Sequence, residues 1–532
     1  MTKLKIENPV LPGFHPDPSI VRVGDDYYIA TSTFEWFPGV AIHHSKDLVH
    51  WQLVARPLNR LSQLNMIGEE CSCGVWAPCL SYHEGVYYLV YTNMKNKRGA
   101  FKDMKNYLVT GTDIQGDWSE PVFLNSSGFD PSLFHDTDGR HYLVNMLCDH
   151  TKEMNQKERF GGILLQEFSV KDKKLVGPII NIFKGTELAK TEGPHLYKIK
   201  DHYYLICAEG GTGKDHAVTL ARSKNLFGPY EVCPHNPVLS SKNKAKLPLQ
   251  RAGHADIVET SDGQWYMVHL CSRPLAKSGR SILGRETAIQ KIQWDDQGWF
   301  SLVTEKSEPE IRVDAPNLEP CPWPPLAQRD DFDSPSLSLV YQTLREPLGE
   351  SVLSLSERPG FLRLKGQYSP SSHYTQALIA RRQQAFCYCA RTYLEFSPLN
   401  LQQMAGIIAL YDNENYYYPH LTWDENLGKC LKIAVSDDGN YSYEAEAVAI
   451  AQKGLHLEIA VKQEDLTIAY SLDGANWNKI NRLFDASILS DEYGKISYFT
   501  GAFIGLCAQD LSGTALAADF DYFEYIEGPE QN

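Results

Sequence analysis

Three acidic side chains stand just ahead of similar apolar stretches, Asp17 in DPSIVRV and Asp130 in DPSLFHD at matching places and Glu192 in EGPHLYK one place further out. Two carboxyl groups on opposite sides of a sugar ring are what glycosidic cleavage needs, one protonated to serve the leaving oxygen and one ionised to act on the far face. A third acid nearby holds up the pKa of the protonated one, because like charges disfavour ionisation. Taken singly, each Asp-Pro is equally a turn opener. The chemistry therefore depends on whether the chain brings the three acids together.

The elements that must do so are visible as an internal repeat. Five segments share a small or carboxylate residue, usually a proline, an apolar residue, a polar turn and an aromatic-rich strand: DPSIVRVGDDYYIATST from Asp17, APCLSYHEGVYYLVYTN from Ala77, DPSLFHDTDGRHYLVNM from Asp130, GPHLYKIKDHYYLICAE from Gly193 and HADIVETSDGQWYMVHL from His254. Their anchoring apolar residues are Ile20, Leu80, Leu133, Leu196 and Ile257. Each segment reads as a hairpin with further strand-like pieces behind it, such as 40–54 and 218–232. Four strands per unit and no convincing amphipathic helix predict a five-bladed β-propeller. A solenoid is the alternative, but its stacked repeats are shorter and end caps are not evident. In a propeller the first strand of every blade lines the central channel, so Asp17, Asp130, Glu192, His254 and Trp76 converge on one pit. Repeats one and four are not neighbours in the ring, which sets Asp17 and Glu192 across the pit with room for a water, the arrangement of an inverting enzyme.

Proline-rich sequence follows the repeats. The reading is a propeller over residues 1–303, a linker over 304–330 and a second domain over 331–532, whose short alternating segments, including 361–364, 377–380, 406–411, 455–460, 466–471 and 499–508, predict a β-sandwich. The fold class expected is all-β throughout. A length of 532 residues with 43% hydrophobic residues suits two sizeable cores. The formal charge of −15 argues against nucleic acid and anionic membrane surfaces as partners. With no apolar leader core in MTKLKIENPV and no run long enough to span a bilayer, the expected location is the cytoplasm. Most of the twelve cysteines sit singly in apolar strands and read as buried thiols, while the C-x-C pairs Cys71/Cys73 and Cys387/Cys389 lack zinc spacing.

Several motifs in order carry a family resemblance: FHPDPSI, FEWFPG at 34–39, VWAP, GFDPSLF, TEGPHLY, AGHAD, GRET, and in the second domain DDFDSP at 330–335 and FTGAFIG at 499–505. The chain closely resembles the β-xylosidases of glycoside hydrolase family 43 over nearly its whole length, with no departure at a catalytic position. The resemblance implies Asp17 as the general base, Glu192 as the general acid and Asp130 as the acid that orients and tunes Glu192. It implies Arg285 contacting both Asp130 and the substrate, Phe34 and Trp76 as apolar walls of the sugar site, His254 at its floor, and Phe503 reaching over from the sandwich. Such a closed end admits only a chain terminus, so an exo-acting enzyme on xylo-oligosaccharides is implied, and family members of this type are often dimers or tetramers.

Plain alternatives stand beside these roles: a surface ion pair for Arg285, core aromatics for Phe34 and Phe503, a structural histidine for His254. For the whole chain the alternatives are an α-L-arabinofuranosidase or dual-activity enzyme, a retaining sucrose-cleaving propeller, and a sugar-binding propeller without catalysis. GGTGKD at 210–215 lacks the first glycine and final Ser/Thr of a phosphate loop, and KNKAK at 242–246 reads as a solvated loop. Asp331, Asp333 and Asp521 are a candidate structural calcium site. Catalysis as read requires no cofactor.

Overall fold

Aromatic and β-branched residues alternating with polar ones make each repeat a hairpin with one face to cover, and stacking five such sheets around an axis covers them all. The computed structural model describes residues 4–99, 101–152, 159–494 and 499–528. Residues 1–3, which open the stretch read for a leader, lie outside the described residues.

Five antiparallel sheets form the propeller. The first blade comprises Ser19–Val23, Asp26–Thr31, Ala41–Ser45 and Gln52–Ala55, in that spatial order. The other four begin with Gly74–His83, Ser132–His135, Glu192–Ile199 and Gln250–Glu259. These first strands touch one another around the ring. Polar bonds sew them: the Leu80 N–H donates to Ser19 Oγ (2.9 Å), Ser132 Oγ donates to the Pro194 carbonyl (2.6 Å), and the Ile20 N–H donates to Asp256 Oδ2 (2.8 Å). Apolar side chains from facing sheets fill the spaces between blades.

The stretch expected to be a plain linker contributes a strand. Arg312–Asp314 pairs antiparallel with Lys5–Glu7 beside the fifth blade, and the Asn8 side chain caps this closure by donating to the Ile289 carbonyl (2.7 Å) and accepting its N–H (2.8 Å). Beyond it two sheets face each other as a β-sandwich. One runs outward from Ala517–Glu527 and Cys387–Glu395, the other from Phe503–Asp510 and Gln403–Leu410. A 3-10 turn at Ala486–Ile488 is the helical element among the described residues. Between the domains, Trp36–Phe37 pairs with Thr343–Leu344, and Phe14, Phe34, Trp36, Leu344, Leu378 and Phe503 build a shared apolar core.

Among the described residues no three His, Cys, Asp or Glu side chains come together as a metal site, and Asp331 is instead paired with Arg329 at 2.7 Å. All twelve cysteines are free and most are buried.

Candidate active site

The five residues that open the repeats share one backbone conformation. Asp17, Ala77, Asp130, Gly193 and His254 all have left-handed φ, at 54°, 35°, 54°, 55° and 50°. Most side chains resist this region, while Gly, Asp and His tolerate it better. Irregular register follows at Trp76/Cys79, Glu192/His195 and Gly253/Ala255. Three of the five inner strands thus carry a bulge near their start that re-aims one or two side chains before regular pairing begins. Residues distant in the chain gain a common orientation toward the axis in this way.

Asp17, Asp130 and Glu192 are 6%, 7% and 8% exposed, buried but not sealed. Around Asp17 the partners are cationic or donating: Arg285 Nη1 at 3.0 Å and His254 Nδ1 at 3.6 Å from Oδ1, with Ser32 Oγ donating to Oδ2 at 2.7 Å. Burial alone would raise this carboxyl, but Arg285, His254 and Ser32 outweigh it and hold Asp17 below its ordinary value. The other two acids go the opposite way. Burial, then the Asp17 charge, push Glu192 up to about 7, and burial with both neighbouring acids raises Asp130 well above the usual range. Asp130 and Glu192 therefore keep a proton between them near neutral pH. The Gly193 N–H donates to Asp130 Oδ2 at 2.9 Å, which favours the ionised form of Asp130 without outweighing burial and the two neighbouring acids.

His254 sits against Gly193, where a Cβ would lie 3.0 Å from its Nε2, so glycine is what lets the fourth and fifth blades meet here. Burial pushes His254 down to about 4, which makes it a neutral partner for Asp17.

Arg285 departs from its expected contact. Its ion pair is with Asp17 rather than Asp130, and Nη2 donates to the Phe499 carbonyl at 3.0 Å. Its guanidinium lies 5.4 Å from the Phe34 ring centre and 5.5 Å from that of Phe499. Phe34, Trp76 and Phe499 are mutual neighbours, with centroids 5.9, 6.0 and 6.3 Å apart, and Phe129 adds a fourth ring 5.6 Å from Trp76. Ser72 ties this collar together. Its carbonyl accepts Trp76 Nε1 (3.0 Å) and its hydroxyl accepts the Phe499 N–H (3.0 Å).

Phe503 is not in the collar. It is fully buried, stacked on Trp36 at 3.7 Å, and belongs to the core between the domains. The strand expected from residue 499 begins only at Phe503. Residues 499–502 instead run against the loop at 282–284, where the Ala502 N–H donates to the Ile282 carbonyl (2.9 Å). Gly284 permits this approach, since a Cβ there would fall 2.2 Å from the Thr500 carbonyl. Sequence reasoning also missed Ser32, Phe129, Phe499 and Lys102, whose charge acts on Glu192. Phe129 and Phe499 lay inside the quoted motifs GFDPSLF and FTGAFIG, so a signal for both was present.

The same propeller residues, 6–300, match the model of "Glycosyl hydrolases family 43". The chain belongs to glycosyl hydrolase family 43. Residues 329–526 match the "Beta xylosidase C-terminal Concanavalin A-like domain", which identifies the sandwich. Among characterised family relatives, a xylosidase/arabinosidase 43B of Humicola insolens is 49% identical over 98% of this chain and 97% of its own. A xylan 1,3-β-xylosidase of a Vibrio species is 47% identical over 98% and 99%. The crystal structure of xylan β-1,4-xylosidase from Bacillus halodurans C-125 superposes with a TM-score of 0.96 at 52% identity, covering 98% of this chain and all of that one. A family 43 glycosidase with a propeller and a concanavalin A-like sandwich is thus established.

Proposed function

We propose that this glycosidase is an exo-acting, inverting β-xylosidase that releases D-xylose from the non-reducing end of β-1,4-xylo-oligosaccharides. The observation that carries the proposal is the electrostatic split among the three acids, with Asp17 held ionised by Arg285 and Ser32 while Glu192 keeps its proton. Asp17 removes a proton from water, the water oxygen attacks the anomeric carbon, and Glu192 gives its proton to the departing glycosidic oxygen. Burial and the Asp17 charge keep Glu192 protonated, and Asp130 beside it shares its titration and orients it. The buried Arg285 Nε–H, which has no protein partner, is a donor for a substrate hydroxyl. Flat faces of Phe34, Trp76, Phe129 and Phe499 cover the C–H faces of the sugar. Every proton transfer is assigned to a side chain, so no cofactor enters the scheme.

Proton NMR of the first-formed sugar tests the stereochemistry: α-xylose appears first under inversion, and β-xylose first would overturn it. A second reading, arabinofuranosidase or dual activity, gains support from the Humicola relative's name, and the Vibrio relative's name raises a 1,3 linkage. Comparing kcat/KM on the two nitrophenyl glycosides, and on 1,4- and 1,3-linked xylobiose, ranks them, with the xyloside and the 1,4 linkage expected to lead. The cytoplasm is the proposed compartment, supported by twelve free thiols. No described helix is long and apolar enough to cross a membrane. Homo-oligomerisation remains part of the proposal, checked by light scattering.

A further inference from the structure

A second recess lies between the first blade, the proline-rich linker and the sandwich. Its volume is about 400 Å³, within the range of small-molecule sites. Although the chain carries a charge of −15, no carboxylate lines this recess. Arg56, Arg381, Arg382, His15 and His43 line it, roofed by Trp323 and the prolines that follow. The three arginines and two histidines are each at least nine-tenths buried.

Each arginine is anchored by part of its guanidinium and leaves another part unused. Arg56 Nε donates to the Leu339 carbonyl (2.9 Å), Arg382 Nε donates to the Phe14 carbonyl (2.6 Å), and Arg381 Nη2 donates to Gln384 Oε1 (3.1 Å). Gln342 Oε1 accepts a further bond from Arg382 Nη1. The remaining Arg56 Nη1, Arg382 Nη2, Arg381 Nε, His15 Nδ1, His43 Nδ1 and Trp323 Nε1 are buried without a partner. Six unpartnered nitrogens at one recess are far outside the usual pattern, in which buried polar groups are satisfied. Burial and one another's charge push His15, His43 and Arg382 below their ordinary values, and burial lowers Arg56 to about 9. Buried cations left without an anion are costly, and a fold retains them where an anion supplies the missing partner.

We propose that this recess is an anion site for a phosphate group, recognised by the three guanidinium groups with the imidazole and indole nitrogens. Donors arriving from the blade, the sandwich and the linker suit a tetrahedral anion with several oxygens better than the two coplanar oxygens of a carboxylate, and guanidinium is the side chain best matched to phosphate. The recess exceeds what inorganic phosphate fills, leaving room for a small ester group.

The test uses the full-length protein at fixed ionic strength. Inorganic phosphate and glycerol 3-phosphate are each titrated against a chloride control while the unfolding temperature is followed. A saturable rise of at least about 2 °C with either is expected. Saturation of the ester at roughly tenfold lower concentration assigns the site to phosphate monoesters, and equal saturation assigns it to free phosphate. Arg56→Met removes an unpaired buried charge, so in phosphate-free buffer it is expected to unfold no lower than the parent chain while losing the phosphate response. Its hydrolysis of a nitrophenyl xyloside verifies folding. If that variant does not fold, Trp323→Phe, which deletes one donor, is expected to weaken the response about tenfold. No difference between phosphate and chloride in the parent chain, or an unchanged response in the folded variants, overturns the proposal.

Discussion

At the residue scale, chemistry is divided by environment rather than by residue type. Asp17 and Asp130 are the same amino acid in the same left-handed conformation, yet Arg285 and Ser32 surround the first while a second acid confronts the other. Different losses should follow from removing each. Asp17→Asn should lower kcat by at least about 10²-fold on every substrate, because water loses its base. Glu192→Gln should do so on xylobiose but much less on an aryl xyloside whose leaving group needs no proton, and equal losses on both would contradict the assignment. For pH, Glu192 must be protonated to act, so kcat/KM should fall as pH rises through about 7. Replacing Asp130 by Asn removes the acid that shares a proton with Glu192, so the last proton no longer leaves against a neighbouring charge, and that alkaline limb should move to lower pH. A limb that stays in place or moves upward would remove Asp130 from its tuning role.

Elements decide which aromatic joins the collar beside Arg285. The sandwich strand begins at Phe503, so that ring is held inside the interdomain core against Trp36, whereas Phe499 precedes the strand on a segment laid along residues 282–284. Phe503→Ala should therefore cost about 3–5 kcal/mol of stability, as expected for emptying a packed aromatic site. Phe499→Ala should leave the unfolding temperature nearly unchanged and raise KM. Thermal melts and steady-state kinetics on the two variants separate these outcomes, and a reversed pattern would return Phe503 to the pocket.

For the whole molecule, Arg285 is held from both domains. Arg285 belongs to the propeller, yet one of its nitrogens is held by the Phe499 carbonyl of the sandwich, and a paired strand ribbon with a common apolar core joins the two bodies. Domains with small polar contacts move and unfold separately, while a large apolar interface couples them. Calorimetry of the full chain should accordingly show one transition, with two well-separated peaks as the contrary result.

Read alone, the sequence determined the repeat, the all-β class and the acids at its openings, because hairpin periodicity is local and because Asp, Gly and His suit the left-handed φ that each opening requires. It also carried Phe129 and Phe499 in its motifs without saying that they face the site. Tertiary structure alone decided that Arg285 pairs with Asp17, that Phe503 is core, and that Arg56, Arg382 and His15 share a cavity. Those outcomes depend on distances between segments hundreds of residues apart, and on which charges burial leaves unscreened, neither of which is written in local spacing.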